Sequence, residues 1–107
     1  MRVGFMSDAS VGGLRDMSEN AAITMSEGLL SVPDHPLVHF IEGDGIGIDI
    51  TPVMMAVVDA AVERAYDGER EIAWREVLAG QRAFDTTGEW LPEETKLAMR
   101  EGLVSIK

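Results

Sequence analysis

Two patterns of apolar spacing alternate along the chain. Leu37-Val38-His39-Phe40-Ile41 is a short, mostly apolar run. Five residues suit a buried strand better than a helix. The preceding Val32-Pro33-Asp34-His35-Pro36 carries two prolines that bar a helix there. The run ends in the turn-rich loop Glu42-Gly43-Asp44-Gly45-Ile46-Gly47. Thr51-Pro52 then reads as a helix start, with the hydroxyl as cap and proline at the first helical position, and predicts a helix over Val53–Tyr66. Met54, Val58, Ala61, Val62 and Ala65 share one face by three- and four-residue spacing, while Asp59, Glu63 and Asp67 recur on another. Asp67-Gly68 is the expected stop. Ile72–Leu78 reads as a second strand, with Glu76 interrupting an otherwise apolar face. Gly80–Gly88 is expected to be a polar connection. A second helix is expected from Pro92 to Gly102, with Glu93 and Glu94 in its first turn, where the helix dipole favours negative charge. Leu103–Ile106 comes next as a third strand. Strand, helix, strand, helix, strand is the signature of an α/β fold with a largely parallel sheet.

Residues 1–31 show no sustained strand or helix period and are expected to form a flexible arm before an organised region at 32–107. Asp8, Asp16 and Glu19 break the stretch too often for a secretory signal, and its acids disfavour an organelle transit peptide. Three strands and two helices would leave a sheet edge and face uncovered. The chain is therefore expected to be the first portion of something larger.

Composition narrows the partners. Nine Lys+Arg stand against 19 Asp+Glu, a formal charge of -10, which argues against a phosphate-backbone ligand. No run reaches the roughly 18 apolar residues of a membrane span. With no cysteine there is no disulfide, thiolate metal site or cysteine nucleophile.

The glycine loop after the first strand invites a dinucleotide-binding reading, but Ile48 stands where the third fingerprint glycine belongs. Glu42, Asp44 and Asp49 would also repel a phosphate. A tight turn is the reading these residues favour. The same acids match no calcium loop, and His35 and His39, with Pro36 between them, do not make a helical zinc pair, so no metal ligand is assigned. No serine has the Gly-x-Ser-x-Gly setting. Trp74 and Trp90 are read as packing anchors and not as base-stacking platforms.

Taken together, several segments closely resemble the amino-terminal part of the bacterial NADP-dependent isocitrate dehydrogenases. They are Val32-Pro33-Asp34-His35-Pro36, Phe40-Ile41-Glu42-Gly43-Asp44-Gly45-Ile46-Gly47, Thr51-Pro52, Val57-Val58-Asp59-Ala60-Ala61-Val62-Glu63, Ile72-Ala73-Trp74, Trp90-Leu91-Pro92 and Val104-Ser105-Ile106-Lys107. The resemblance covers about Ile23 to Lys107. It implies a partial isocitrate/isopropylmalate dehydrogenase-like α/β fold, distinct from the Rossmann fold. It further implies oxidoreductase chemistry of the tricarboxylic acid cycle: oxidation and decarboxylation of isocitrate by a cytoplasmic homodimer using NADP and magnesium or manganese. By position it makes Lys107 the lysine that opens the substrate and nicotinamide region, and Ile46 the loop isoleucine beside the cofactor. The family's arginine clamp, acid/base tyrosine and lysine, and metal-binding aspartates lie beyond Lys107. A chain of this extent is thus expected to be inactive alone and to bind no cofactor tightly. Two alternatives stay open: a related isopropylmalate or homoisocitrate dehydrogenase, and a non-enzymatic module that pairs with a complementary segment.

Overall fold

A computed structural model describes residues 20–107. The first nineteen residues of the expected arm lie outside the described residues. Those from 20 to 31, where no strand period is legible, form three short strands: β1 (Asn20–Ala22), β2 (Thr24–Ser26) and β3 (Leu29–Ser31). Then come β4 (His35–Phe40), α1 (Gly47–Tyr66), β5 (Ala73–Glu76), α2 (Gln81–Thr87), α3 (Glu93–Gly102) and β6 (Ser105–Ile106).

Strand β4 is the centre of a four-stranded parallel sheet. Along one edge it pairs with β5, from Leu37 opposite Ala73 to Phe40 opposite Glu76. A strand has two edges, so its other partners share the second one end to end. There β1 covers the first half, with Asn20 opposite His35 and Ala22 opposite Leu37, and β6 covers the second, with Ser105 opposite His39 and Ile106 opposite Phe40. The β2–β3 hairpin stands apart from this sheet. Its turn has positive φ at both Glu27 and Gly28, as the primed two-residue hairpin turns require.

The pleat sends Val38 and Phe40 to one face and Leu37, His39 and Ile41 to the other. On the first face Phe40 meets Trp74 edge-on at 6.2 Å, and the Trp74 indole N–H donates to Asp59 of α1 at 2.9 Å. Helix α1 therefore covers that face. Helix α3 covers the second, where Gly102 abuts the His39 ring: a methyl group on Gly102 would sit 2.7 Å from Nδ1. Val38, His39 and Ile41 are buried accordingly. Both faces of the central strand are covered, as a parallel sheet requires, and the α/β class expected from the apolar pattern holds.

The second strand is shorter than expected, at Ala73–Glu76, and the third is only Ser105–Ile106; two larger differences bear on the site. Helix α1 starts at Gly47, four residues before Thr51, with no side-chain cap. The chain begins to wind as soon as it leaves the loop: Asp44 C=O accepts from Gly47 N–H at 3.3 Å, and Ile46 C=O accepts from both Asp49 and Ile50. Thr51 is thus a buried helical residue and not the cap, and Pro52 lies inside the helix. Proline forfeits its own N–H bond and crowds the carbonyl of the preceding turn, yet the 20-residue helix runs through it. Because the covered face centres on Thr51, Met54, Met55, Val58 and Val62, Ala61 and Ala65 fall on the exposed side.

The second difference is α2, seven residues within the expected polar connection. It carries few apolar residues, and its ends are made by tertiary and glycine contacts. Gly80 enters with φ +89°, and its N–H donates to Trp90 C=O at 2.8 Å. Gly88 closes the helix in the left-handed region. Phe84 stacks on Trp90 at 4.6 Å, so Trp90 packs although it is exposed. Helix α3 starts after Pro92 as expected, with Glu93 and Glu94 in its first turn.

Candidate functional site

In open parallel sheets the working crevice lies beyond the carboxyl ends of the strands, so the site is built from the residues that leave β4, β5 and β6 at that end. The main chain joins two of these exits: Ile41 N–H donates to Ile106 C=O at 2.9 Å. The next residues along each strand are Glu42, which opens the glycine loop, and Lys107. The two sequence-expected positions, Ile46 and Lys107, thus leave neighbouring strands at the same end of the sheet. Ile46 occupies the cap position of α1 and is 70% exposed. Lys107 is exposed as well.

The loop is shaped by one steric requirement and two ionic ones. Gly47 packs so tightly on the Glu42 carbonyl that a methyl group there would overlap the oxygen, at 1.8 Å. The Asp44 carboxylate reaches across to α2, where Oδ2 accepts from Gln81 N–H at 2.9 Å and Oδ1 from Arg82 N–H at 3.4 Å. It satisfies first-turn donors that have no intrahelical partner. A methyl group on Gly80 would meet Asp44 Oδ2 at 2.6 Å, so both this contact and the positive φ exclude other residues there. Arg82 supplies the second ionic tie. Its Nη1 donates to Glu42 at the start of the loop, in a close ion pair, and forms a second ion pair with Glu76 at the end of β5, at 3.0 Å. Glu76, which breaks the apolar pattern of its strand, is thus ion-paired to Arg82.

Sequence reasoning missed Arg82 and the part played by Asp44. They lie 38 positions apart, and the signal that links them, an arginine and glycine just past one strand facing an acidic loop past another, emerges only once the strands are aligned. Together with Gly43, Ile48, Gln81 and Thr86 they line an open cleft at this end of the sheet. The loop acids are engaged by α2 amides and by Arg82, and among the described residues no three His, Cys or acidic side chains are grouped to hold a metal ion. These residues do not fit a divalent cation. Nor do three carboxylates around the loop fit a phosphate. Ile46 and Ile48 expose their apolar side chains beside these acids.

His39 lies away from this cleft, under α3. It is 4% exposed and its Nδ1 makes no hydrogen bond. Desolvation first, and then the positive charge of Arg75, hold the imidazole below its ordinary pKa of 6.5. It is a buried residue of the central strand.

Comparison with known proteins agrees with this geometry. The family profile described as isocitrate/isopropylmalate dehydrogenase matches residues 37–107. The NADP isocitrate dehydrogenase of Staphylococcus aureus is 56% identical over 85 residues, which are 79% of this chain and 20% of the relative. Its namesake from Streptococcus salivarius is 56% identical over 85 residues, 79% of this chain and 22% of the relative. The one from Coxiella burnetii is 53% identical over 92 residues, 84% and 22% respectively. The chain spans about a fifth of the length of these curated relatives.

Proposed function

This chain belongs to the isocitrate/isopropylmalate dehydrogenase family, and from that premise we propose that it supplies the sheet and glycine loop of an NADP-dependent isocitrate dehydrogenase. The observation that carries the reading is the identity of 53% to 56% to relatives bearing that name, beside a family match over residues 37–107, which include Ile46 and Lys107. The reaction oxidises the hydroxyl-bearing carbon of isocitrate to a ketone. Its hydroxyl proton goes to a base, the adjacent carboxylate leaves as carbon dioxide, and the remaining enolate is protonated to 2-oxoglutarate. NADP supplies the electron sink, accepting the hydride as NADPH. Within this scheme Ile46 offers its exposed side chain to the nicotinamide end of the cofactor and excludes water there. Lys107, which leaves the neighbouring strand at the same end of the sheet, offers a positive charge to the tricarboxylate substrate. The loop acids keep the cofactor's phosphates away from the glycines, so the loop holds the ring and not the pyrophosphate. The family resemblance also makes the working protein a cytoplasmic homodimer, with magnesium or manganese held by residues other than those described. No described helix is long and apolar enough to cross a membrane.

The test is a chimera in which the matched 85 residues of the Staphylococcus aureus enzyme are replaced by their counterparts from this chain. It should reduce NADP with isocitrate and not with isopropylmalate. A folded chimera that prefers isopropylmalate, or that turns over neither substrate, would refute the reading.

A further inference from the structure

We propose that Arg82 is a positioning residue whose guanidinium, with Asp44 bracing from the opposite side, holds the 43–47 loop where Ile46 can meet the cofactor. The cofactor in this statement rests on the functional reading above, whereas the brace rests on geometry alone.

The loop has little else to hold it. Neither Gly43 nor Gly45 has a heavy atom within 4 Å of where a side chain would begin, and Ile46 is largely in solvent. Its internal turn bond, from Gly47 N–H to Asp44 C=O, is long at 3.3 Å. What ties it to the body of the protein is polar and comes from one short stretch, the start of α2. Two backbone amides of that stretch engage Asp44, and one side chain engages Glu42.

Arginine is suited to this position in a way lysine is not. Glu42 leaves β4 and Glu76 ends β5, in strands that run side by side with Phe40 opposite Glu76. Two carboxylates at neighbouring strand ends repel each other, and one guanidinium nitrogen of Arg82, Nη1, stands between them and meets both. Removing Arg82 does more than delete a tie, because it leaves the two acids to push the loop entrance away from β5. Lysine would keep the charge but carry it as a strongly hydrated ammonium on a flexible stem, not on a rigid planar group, restoring part of the effect.

Amide hydrogen exchange measured by NMR on the 107-residue chain tests the brace. Arg82→Gln should speed exchange across residues 43–47 by roughly tenfold, as expected when a local tie is lost, with Val38 and Phe40 in β4 unchanged. Arg82→Lys should fall between this variant and the wild type. Unchanged loop exchange would overturn the proposal. So would equal acceleration in loop and strand, which would mark Arg82 as a general structural residue. A second readout addresses the cofactor: saturation transfer between isoleucine methyls and millimolar NADP. Transfer in the wild type that weakens severalfold in Arg82→Gln supports the positioning role. Transfer that is equal in both, beside a loosened loop, overturns it. Absence of transfer in the wild type removes the nicotinamide reading of Ile46 and with it the cofactor half of the proposal, while the exchange result still decides the brace.

Discussion

His39 is the residue whose chemistry is most altered by its place in the fold. Buried against Gly102 with Nδ1 unpaired, it binds a proton less readily than in the unfolded chain. Its contribution to stability is therefore complete above the unfolded value of 6.5 and is lost as pH falls from there toward the lower folded value. Urea midpoints at pH 7.5 and about 5.5 should fall with acid in the wild type, and fall less in His39→Phe, which fills the same space without titrating. Equal falls would mean His39 is not the group concerned. Gly47 provides a second check among single residues. With 1.8 Å between a β-carbon there and the Glu42 carbonyl, Gly47→Ala should cost ~2 kcal/mol or more in chemical denaturation, because the obstacle is backbone and cannot turn aside. Residues are legible in the sequence to different degrees. Ile46 and Lys107 stand out by resemblance, and the extended, proline-flanked setting of His39 already marks it as a sheet residue and not a ligand. Arg82 is not legible, because its meaning depends on Glu42 and Glu76, which only strand pairing brings to it.

Among the elements, those set by their own periodicity are readable and those set by contacts are not. The β4 run and the long α1 pattern announce themselves, as does α3 behind Pro92. Helix α2 does not, because its N-terminal donors are satisfied by Asp44 of a distant loop and its stop by a glycine. The strands β1 to β3 are three residues each, too short for alternation to register. The start of α1 departs from its local signal for a related reason: Thr51-Pro52 is a sound cue, but the tight approach of Gly47 to Glu42 starts the winding first. The exit from α3 offers a test of an element boundary. Leu103 sits at φ 67° and ψ -37°, with Val104 N–H donating to Gly102 C=O at 2.7 Å, which is the strained form of the three-residue turn. Its side chain is about half exposed, so little burial is at stake. Leu103→Gly should raise stability by about 0.5 kcal/mol, the relief of the positive φ exceeding the entropy of the added glycine. A lower melting midpoint would show that the leucine contributes through packing instead.

Across the whole molecule, the sheet is covered on both faces at its centre, yet much apolar surface faces outward. Ile46, Ile50, Val53 and Val57 make an exposed stripe along α1, and Met25, Leu29 and Leu30 stand out on the hairpin. Apolar area of this extent is usual for surface that meets other protein, and the chain spans about a fifth of its curated relatives. The 107 residues alone should accordingly give no isocitrate-dependent NADPH when assayed with NADP and magnesium; sustained turnover by the purified chain would refute this. The class of the fold is legible because parallel strands buried on both faces need apolar runs, whereas the crevice is only half legible, since its glycines are visible and its ionic braces are not. If this end of the sheet presents Ile46 to the cofactor, a charge at that position must weaken cofactor binding, and the chimera with the Staphylococcus aureus enzyme makes the effect measurable. In that chimera Ile46→Asp should raise KM for NADP by about tenfold, the equivalent of ~1.4 kcal/mol of binding, with the melting midpoint unchanged. An unaltered KM for NADP in the folded variant would mean that Ile46 does not meet the cofactor.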